Sequence, residues 1–79
     1  MYSEQIRTVL AKHARLAVDV TTLNDDSDLY GAGLTSLTTV HLMLALEDQF
    51  NVEFPDRMLG RKMFSSIRSL SEAVAELAN

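Results

Sequence analysis

Apolar residues recur at helical spacing in three stretches of this chain, and nowhere keep the two-residue alternation of a half-buried strand. The first stretch predicts a helix from Ser3 to about Ala17, with Ile6, Val9, Leu10, His13 and Ala17 on one stripe. Ser3 is placed to cap it, and Glu4 suits the positive end of its dipole. Val18 to Leu34 reads as a long polar loop. Val18, Val20, Leu23, Leu29, Tyr30 and Leu34 give it enough apolar anchors to lie ordered on a core. A second helix is predicted from Thr35 or Ser36 to about Asn51. Its apolar residues Leu37, Val40, Leu42, Met43, Leu44, Leu46 and Phe50 span roughly 200°, about twice what a surface helix needs. Thr38, His41, Asp48 and Gln49 take the remaining side. Either this helix is covered on most sides, or one apolar edge is kept for a partner.

Phe54-Pro55-Asp56 breaks the pattern and can start a short helix that ends near Gly60. Phe64 and Ile67 read as anchors of a connector. Ser69-Leu-Ser-Glu72 has the form of a capping box opening a last helix, with Leu70, Ala73, Val74 and Leu77 inward. The expected fold is all-α: a four-helix bundle of three main helices and one short one, with a long first loop.

Length changes this picture little. The 79 residues make a single domain, residues 1–79, with no room for a deep enzyme cleft. At 47% hydrophobic and 23% charged, the composition is globular. The formal net charge of -4 disfavours nucleic acid, whose binding rests on neutralising phosphates. There is no cysteine, so neither a disulfide framework nor a thiolate metal site is available. No apolar run is long enough to span a membrane, and Met-Tyr-Ser-Glu-Gln lacks a signal-peptide layout. A cytoplasmic monomer is the default expectation.

Candidate chemistry narrows to one side chain. His13 sits on an apolar stripe and reads as a half-buried structural residue; His41 sits on a polar face and reads as solvated. The serine run lacks the trailing glycine of a nucleophile elbow, and no triad can be assembled, so no catalytic residue is assigned. Asp26-Ser-Asp28-Leu-Tyr30-Gly31 starts like a calcium loop but has Leu37 where the bidentate Glu belongs. No metal ligand is assigned, and the acidic cluster reads as a solvated turn. Ser36 remains, a hydroxyl at a helix start behind a glycine-rich approach. From spacing alone it is an ordinary cap, a job Thr35 can also do.

The wider segment changes that reading. Gly33, Leu34, Ser36, Leu37, Leu46, Glu47, Phe50 and Pro55 stand at the spacing of the acyl and peptidyl carrier proteins, whose signature is Gly-Leu-Asp-Ser-Leu, then Leu-Glu, Phe and a later Pro. Phe64-Ser-Ser-Ile67 is similar to the segment before the last helix of peptidyl and D-alanyl carriers. The resemblance runs from about Ile6 to Leu77. It implies that 4′-phosphopantetheine, taken from coenzyme A by a separate phosphopantetheinyl transferase, is esterified to Ser36. It implies an aminoacyl or acyl group held as a thioester on the arm, a cargo-loading ligase and a downstream acceptor enzyme. It also makes the second helix the recognition element. Thr35, Leu37, Val40, His41 and Leu44 are then docking residues. The basic cluster Arg57, Arg61 and Lys62 departs from the family pattern and reads either as a solvated face or, with Arg57 and Arg61 as docking residues, as a surface that selects an acidic partner. Leu42, Leu46 and Phe50 go to the core.

The chain departs from fatty-acid carriers at specific positions. Thr35 replaces the Asp before the serine, and Thr38 and His41 stand where an acidic strip is expected; Glu47 and Asp48 stay acidic. Charge steering falls, and docking leans on the apolar edge. That profile resembles a specialised free-standing carrier, with an aminoacyl cargo first and a short or specialised acyl cargo next. The competing reading is an unmodified helical interaction module in which Ser36 only caps.

Overall fold

The computed structural model describes residues 2–78, and among these the fold is all-helical. Three α-helices run Ser3–His13 (α1), Ser36–Phe50 (α2) and Ile67–Ala78 (α3). Short 3-10 turns form at Val20–Thr22 and Asp56–Met58. The second of these is the short helix predicted after Pro55; the first was not expected.

Each α-helix brings one apolar face to a shared core. Ile6, Val9 and Leu10 of α1 meet Leu42 and Leu46 of α2 and Ile67, Leu70, Ala73 and Val74 of α3. Burying a side chain of this size is worth about 1.5–3 kcal/mol. Phe54, Met63 and Phe64 close the core from the α2–α3 connector. Phe50 is only half-buried, and its ring packs edge-on against Tyr2 at 5.5 Å.

Three boundaries differ from the sequence reading. Ser3 lies inside α1, behind Tyr2, which makes no side-chain cap. The same helix stops at His13, not near Ala17, because Arg15 turns left-handed at φ 50. His13 is therefore exposed in the last turn, and Ala14 takes the buried place. Ala17 is exposed as well, beyond the helix. At α3, Ile67 starts the helix two residues before Ser69. The Ser69 N–H donates to Ser66 Oγ at 3.1 Å, so the cap is Ser66, and the Ser69…Glu72 pair lies within the helix.

The long first loop is ordered, as its anchors require. Leu29 and Leu34 are buried, whereas Val18 is exposed and lies outside the core. The Leu29 N–H donates to Ser65 O at 2.8 Å, and Arg68 N–H to Asp25 O at 2.9 Å. The acidic cluster is more than a solvated turn. Asp25 accepts from Arg7 of α1 at 2.9 Å and Asp26 from Arg68 of α3 at 2.6 Å. The paired Arg68 guanidinium holds the Asp26 carboxyl below its ordinary value, and the pairing raises Arg68 in turn. Among the described residues no group of His, Asp and Glu is arranged to hold a metal ion.

Gly33 fixes the last step of this loop. Its φ is +116, and a Cβ there would stand 2.7 Å from the Ala17 backbone nitrogen. The loop crosses so close to the 14–18 segment, where the Ala17 N–H donates to Ala32 O, that only glycine fits. That crossing sets where Thr35 and Ser36 enter α2.

The Ser36 site

Two adjacent hydroxyls compete for the start of α2, and the backbone divides their roles. Thr35 is extended, at φ -117 and ψ 166, and its Oγ1 accepts from the Thr38 N–H at 3.2 Å. Thr38 Oγ1 accepts in return from the Thr35 N–H at 2.9 Å, completing a capping box. Thr39 Oγ1 donates to Ser36 O at 2.7 Å. Ser36 is thus the first residue inside the helix. Its Oγ is exposed and makes no hydrogen bond among the described residues. The cap belongs to Thr35, and the Ser36 hydroxyl is left free to react.

Beside Ser36 opens a cavity of about 450 Å³ between α2 and residues 59–64. Thr39, Val40 and Met43 form one wall; Leu59, Gly60 and Phe64 form the other, with Tyr30 and Arg61 completing the lining. The Arg61 guanidinium lies 3.8 Å from the centroid of the Tyr30 ring, a cation–π contact. No carboxylate or histidine lines this space. The cavity lining therefore offers Ser36 no carboxylate or imidazole as a general base.

The remaining sequence-selected residues fall into two groups. Leu37, Val40 and Leu44 keep 70%, 50% and 56% of their surface exposed, and His41 is exposed with them. At these spacings they share one side of α2, reached directly from Ser36. Arg57 and Lys62 do not join them. Arg57 donates to Glu76 of α3 at 3.0 Å, and both cations line a separate groove against α3. The basic cluster of the sequence is split, with only Arg61 on the Ser36 side.

Glu47 has a role that spacing did not reveal. Its Oε2 accepts from the Phe54 N–H at 2.8 Å, tying the turn after α2 back to the helix. The turn begins at Asn51, left-handed at φ 53. A structural carboxylate seven residues before a buried Phe is a pattern that sequence alone does not distinguish from a surface acid.

A bundle with an unpartnered serine at the first position of its second helix matches the family described as "Phosphopantetheine attachment site" over residues 4–74. The chain belongs to that family, whose covalent group is 4′-phosphopantetheine. It is 48% identical over 69 residues to the aminoacyl carrier protein of Agrobacterium fabrum, covering 87% of this chain and 83% of that protein. A carrier protein from Agrobacterium tumefaciens, solved in complex with an engineered Bradyrhizobium japonicum glycine:[carrier protein] ligase and ATP, superposes with a TM-score of 0.93. The identity is 43%, covering 98% of this chain and all of that one. The holo acyl carrier protein of Nitrosomonas europaea superposes at 0.86 with 27% identity, covering 96% and 94%.

Proposed function

We propose that Ser36 is the residue esterified by 4′-phosphopantetheine and that the arm carries an aminoacyl group. The observation that carries this reading is the free, exposed Ser36 Oγ beside a hydroxyl that already does the capping. Modification forms one Oγ–P bond, breaks the pyrophosphate P–O bond of coenzyme A with release of adenosine 3′,5′-bisphosphate, and sends the hydroxyl proton to a base on the phosphopantetheinyl transferase. The arm supplies a terminal thiol, with a pKa near ~8.5, on which cargo is held as a thioester. The chain's own residues hold, orient and present; the covalent steps belong to the transferase, a cargo-loading ligase and a downstream acceptor enzyme.

Likeness to aminoacyl carriers supports the cargo class, and the solved complex of a related carrier with a glycine:[carrier protein] ligase supports the partner class. The docking surface is Leu37, Val40, His41 and Leu44, with Thr35 at its edge and Arg61 beside it. Its exposed apolar side chains support recognition by shape and burial rather than by acidic steering. Arg57, already paired with Glu76, is at most a peripheral contact. A short acyl cargo is the second reading, favoured by the apolar walls Val40, Met43, Leu59 and Phe64 of the adjacent cavity.

Intact-mass measurement tests the attachment. After incubation with coenzyme A and a broad-specificity transferase, the protein gains one phosphopantetheine, and Ser36→Ala gains none. Absence of any gain with several transferases refutes the carrier reading and leaves the unmodified interaction module. Incubation of the modified protein with ATP, glycine or alanine, and an amino-acid-activating ligase then adds one aminoacyl mass, removable by hydroxylamine. Loading by acyl-activating ligases alone selects the second reading.

A further inference from the structure

Arg61 is held unlike three other arginines of the chain. Arg7, Arg57 and Arg68 each donate to a carboxylate, those of Asp25, Glu76 and Asp26. Arg61 rests on the Tyr30 ring, 3.8 Å from its centroid, and meets no carboxylate among the described residues. Face-on stacking leaves the N–H groups of a guanidinium, which point outward in its own plane, available to another acceptor. Arg61 is also the single charged side chain lining the cavity that Ser36 opens into. Its position is thus set by an aromatic platform, its donors are unspent, and nothing anionic in that lining competes for them.

We propose that Arg61 is the counter-ion of the arm's phosphodiester and seats the arm along the cavity. This rests on Ser36 being the attachment residue. The phosphate bonded to Oγ carries one negative charge and lies at the cavity mouth. On one side it meets the start of α2, where the Ser36 and Leu37 N–H groups have no intrahelical acceptor and the dipole favours an anion. On the other side Arg61 offers parallel N–H donors of the kind that match phosphate oxygens. Clasped between them, the first atoms of the arm are directed along Val40 and Met43 instead of straight into solvent. Tyr30 acts through Arg61 by holding the guanidinium in place.

The test compares amide and arginine Nε–H spectra of the protein before and after phosphopantetheine is attached, with mass spectrometry confirming attachment in every sample. Wild type shows shifts at Leu37 and Thr38, next to the attachment point, and a second set at Arg61 Nε–H, Tyr30, Met43 and Phe64. In Arg61→Gln, an exposed substitution that removes the Nε–H probe itself, the first set remains and the attachment shifts at Tyr30, Met43 and Phe64, the part of the second set that can still be read, are lost. The ³¹P resonance of the arm moves between wild type and this variant. Lys62→Gln, which removes a neighbouring cation that faces the other groove, leaves both sets intact. The proposal is overturned if Arg61→Gln keeps the shifts at Tyr30, Met43 and Phe64, if Lys62→Gln loses them equally, or if wild type never shows the second set. Failure of attachment itself appears in the mass spectrum and refutes the Ser36 reading instead.

Discussion

Leu42 and Leu46 of α2 have no exposed surface, whereas Leu37 and Leu44 on the same helix keep 70% and 56% of theirs. Residue type, helix and solvent are the same; only the face differs. The inner pair belongs to the core that α2 shares with α1 and α3, and the outer pair lies outside that core and is largely exposed. One helix therefore has two separable faces, one holding the bundle and one presenting apolar side chains to solvent beside Ser36. Single exposed leucines are common on proteins, but three exposed apolar side chains in register next to an exposed, unpartnered hydroxyl are not a random scatter.

The largest expected effect lies on the inner face. Leu46→Ala removes a fully buried side chain and should cost about 2–5 kcal/mol of unfolding free energy by urea denaturation. Leu44→Ala should change stability by no more than about 0.5 kcal/mol. Its loss should appear instead as a lower kcat/KM for loading by the partner ligase, with the folding midpoint unmoved. Equal destabilisation by the two substitutions would break the comparison.

The next effect sits in the loop that delivers the chain to α2. Gly33→Ala places a Cβ against the Ala17 backbone and forces an L side chain to a φ of +116. The cost should be about 1–3 kcal/mol, read as a lower denaturation midpoint. A neutral result would mean that the crossing with the 14–18 segment is not needed to set the entry of α2.

The adjacent hydroxyls sharpen the same contrast at smaller scale. Thr35→Ala loses the cap and should cost about 1 kcal/mol, while still accepting phosphopantetheine. Ser36→Ala should be nearly neutral in stability and should abolish modification. Reversal of these two outcomes would return Ser36 to the role of a cap.

These residues also mark how far the sequence could be read. The three helices follow from apolar spacing, because each must bury one face. The surplus apolar arc of α2 was legible, but spacing left open whether it was covered or exposed; the fold leaves Leu37, Val40 and Leu44 exposed. The division of labour between Thr35 and Ser36 was not legible, because it depends on which residue takes the extended backbone conformation. Nor was the stop of α1 at His13, which depends on Arg15 turning left-handed rather than on any Gly or Pro. The split of Arg57 from Arg61 and the inward turn of Glu47 both depend on partners distant in sequence, which spacing does not encode.

The smallest expected effect concerns what fastens the first loop. Leu29 and Leu34 pin it by burial, and the exposed Asp26–Arg68 pair ties it to α3. Hydrogen bonding to Arg68 lowers the folded-state Asp26 pKa from 3.8. A carboxyl depressed in the folded state binds its proton more weakly there than in the unfolded chain. Its stabilising contribution is therefore complete above the unfolded value, near ~4, and is lost as pH falls through the lower folded value. Asp26→Asn should flatten that part of the acid limb of a stability–pH curve while leaving stability near neutrality almost unchanged, as expected of an exposed pair. An unchanged acid limb in Asp26→Asn would show that the loop is held by its apolar anchors and by the backbone bond from Arg68 to Asp25, with the carboxylate–guanidinium contact contributing nothing measurable.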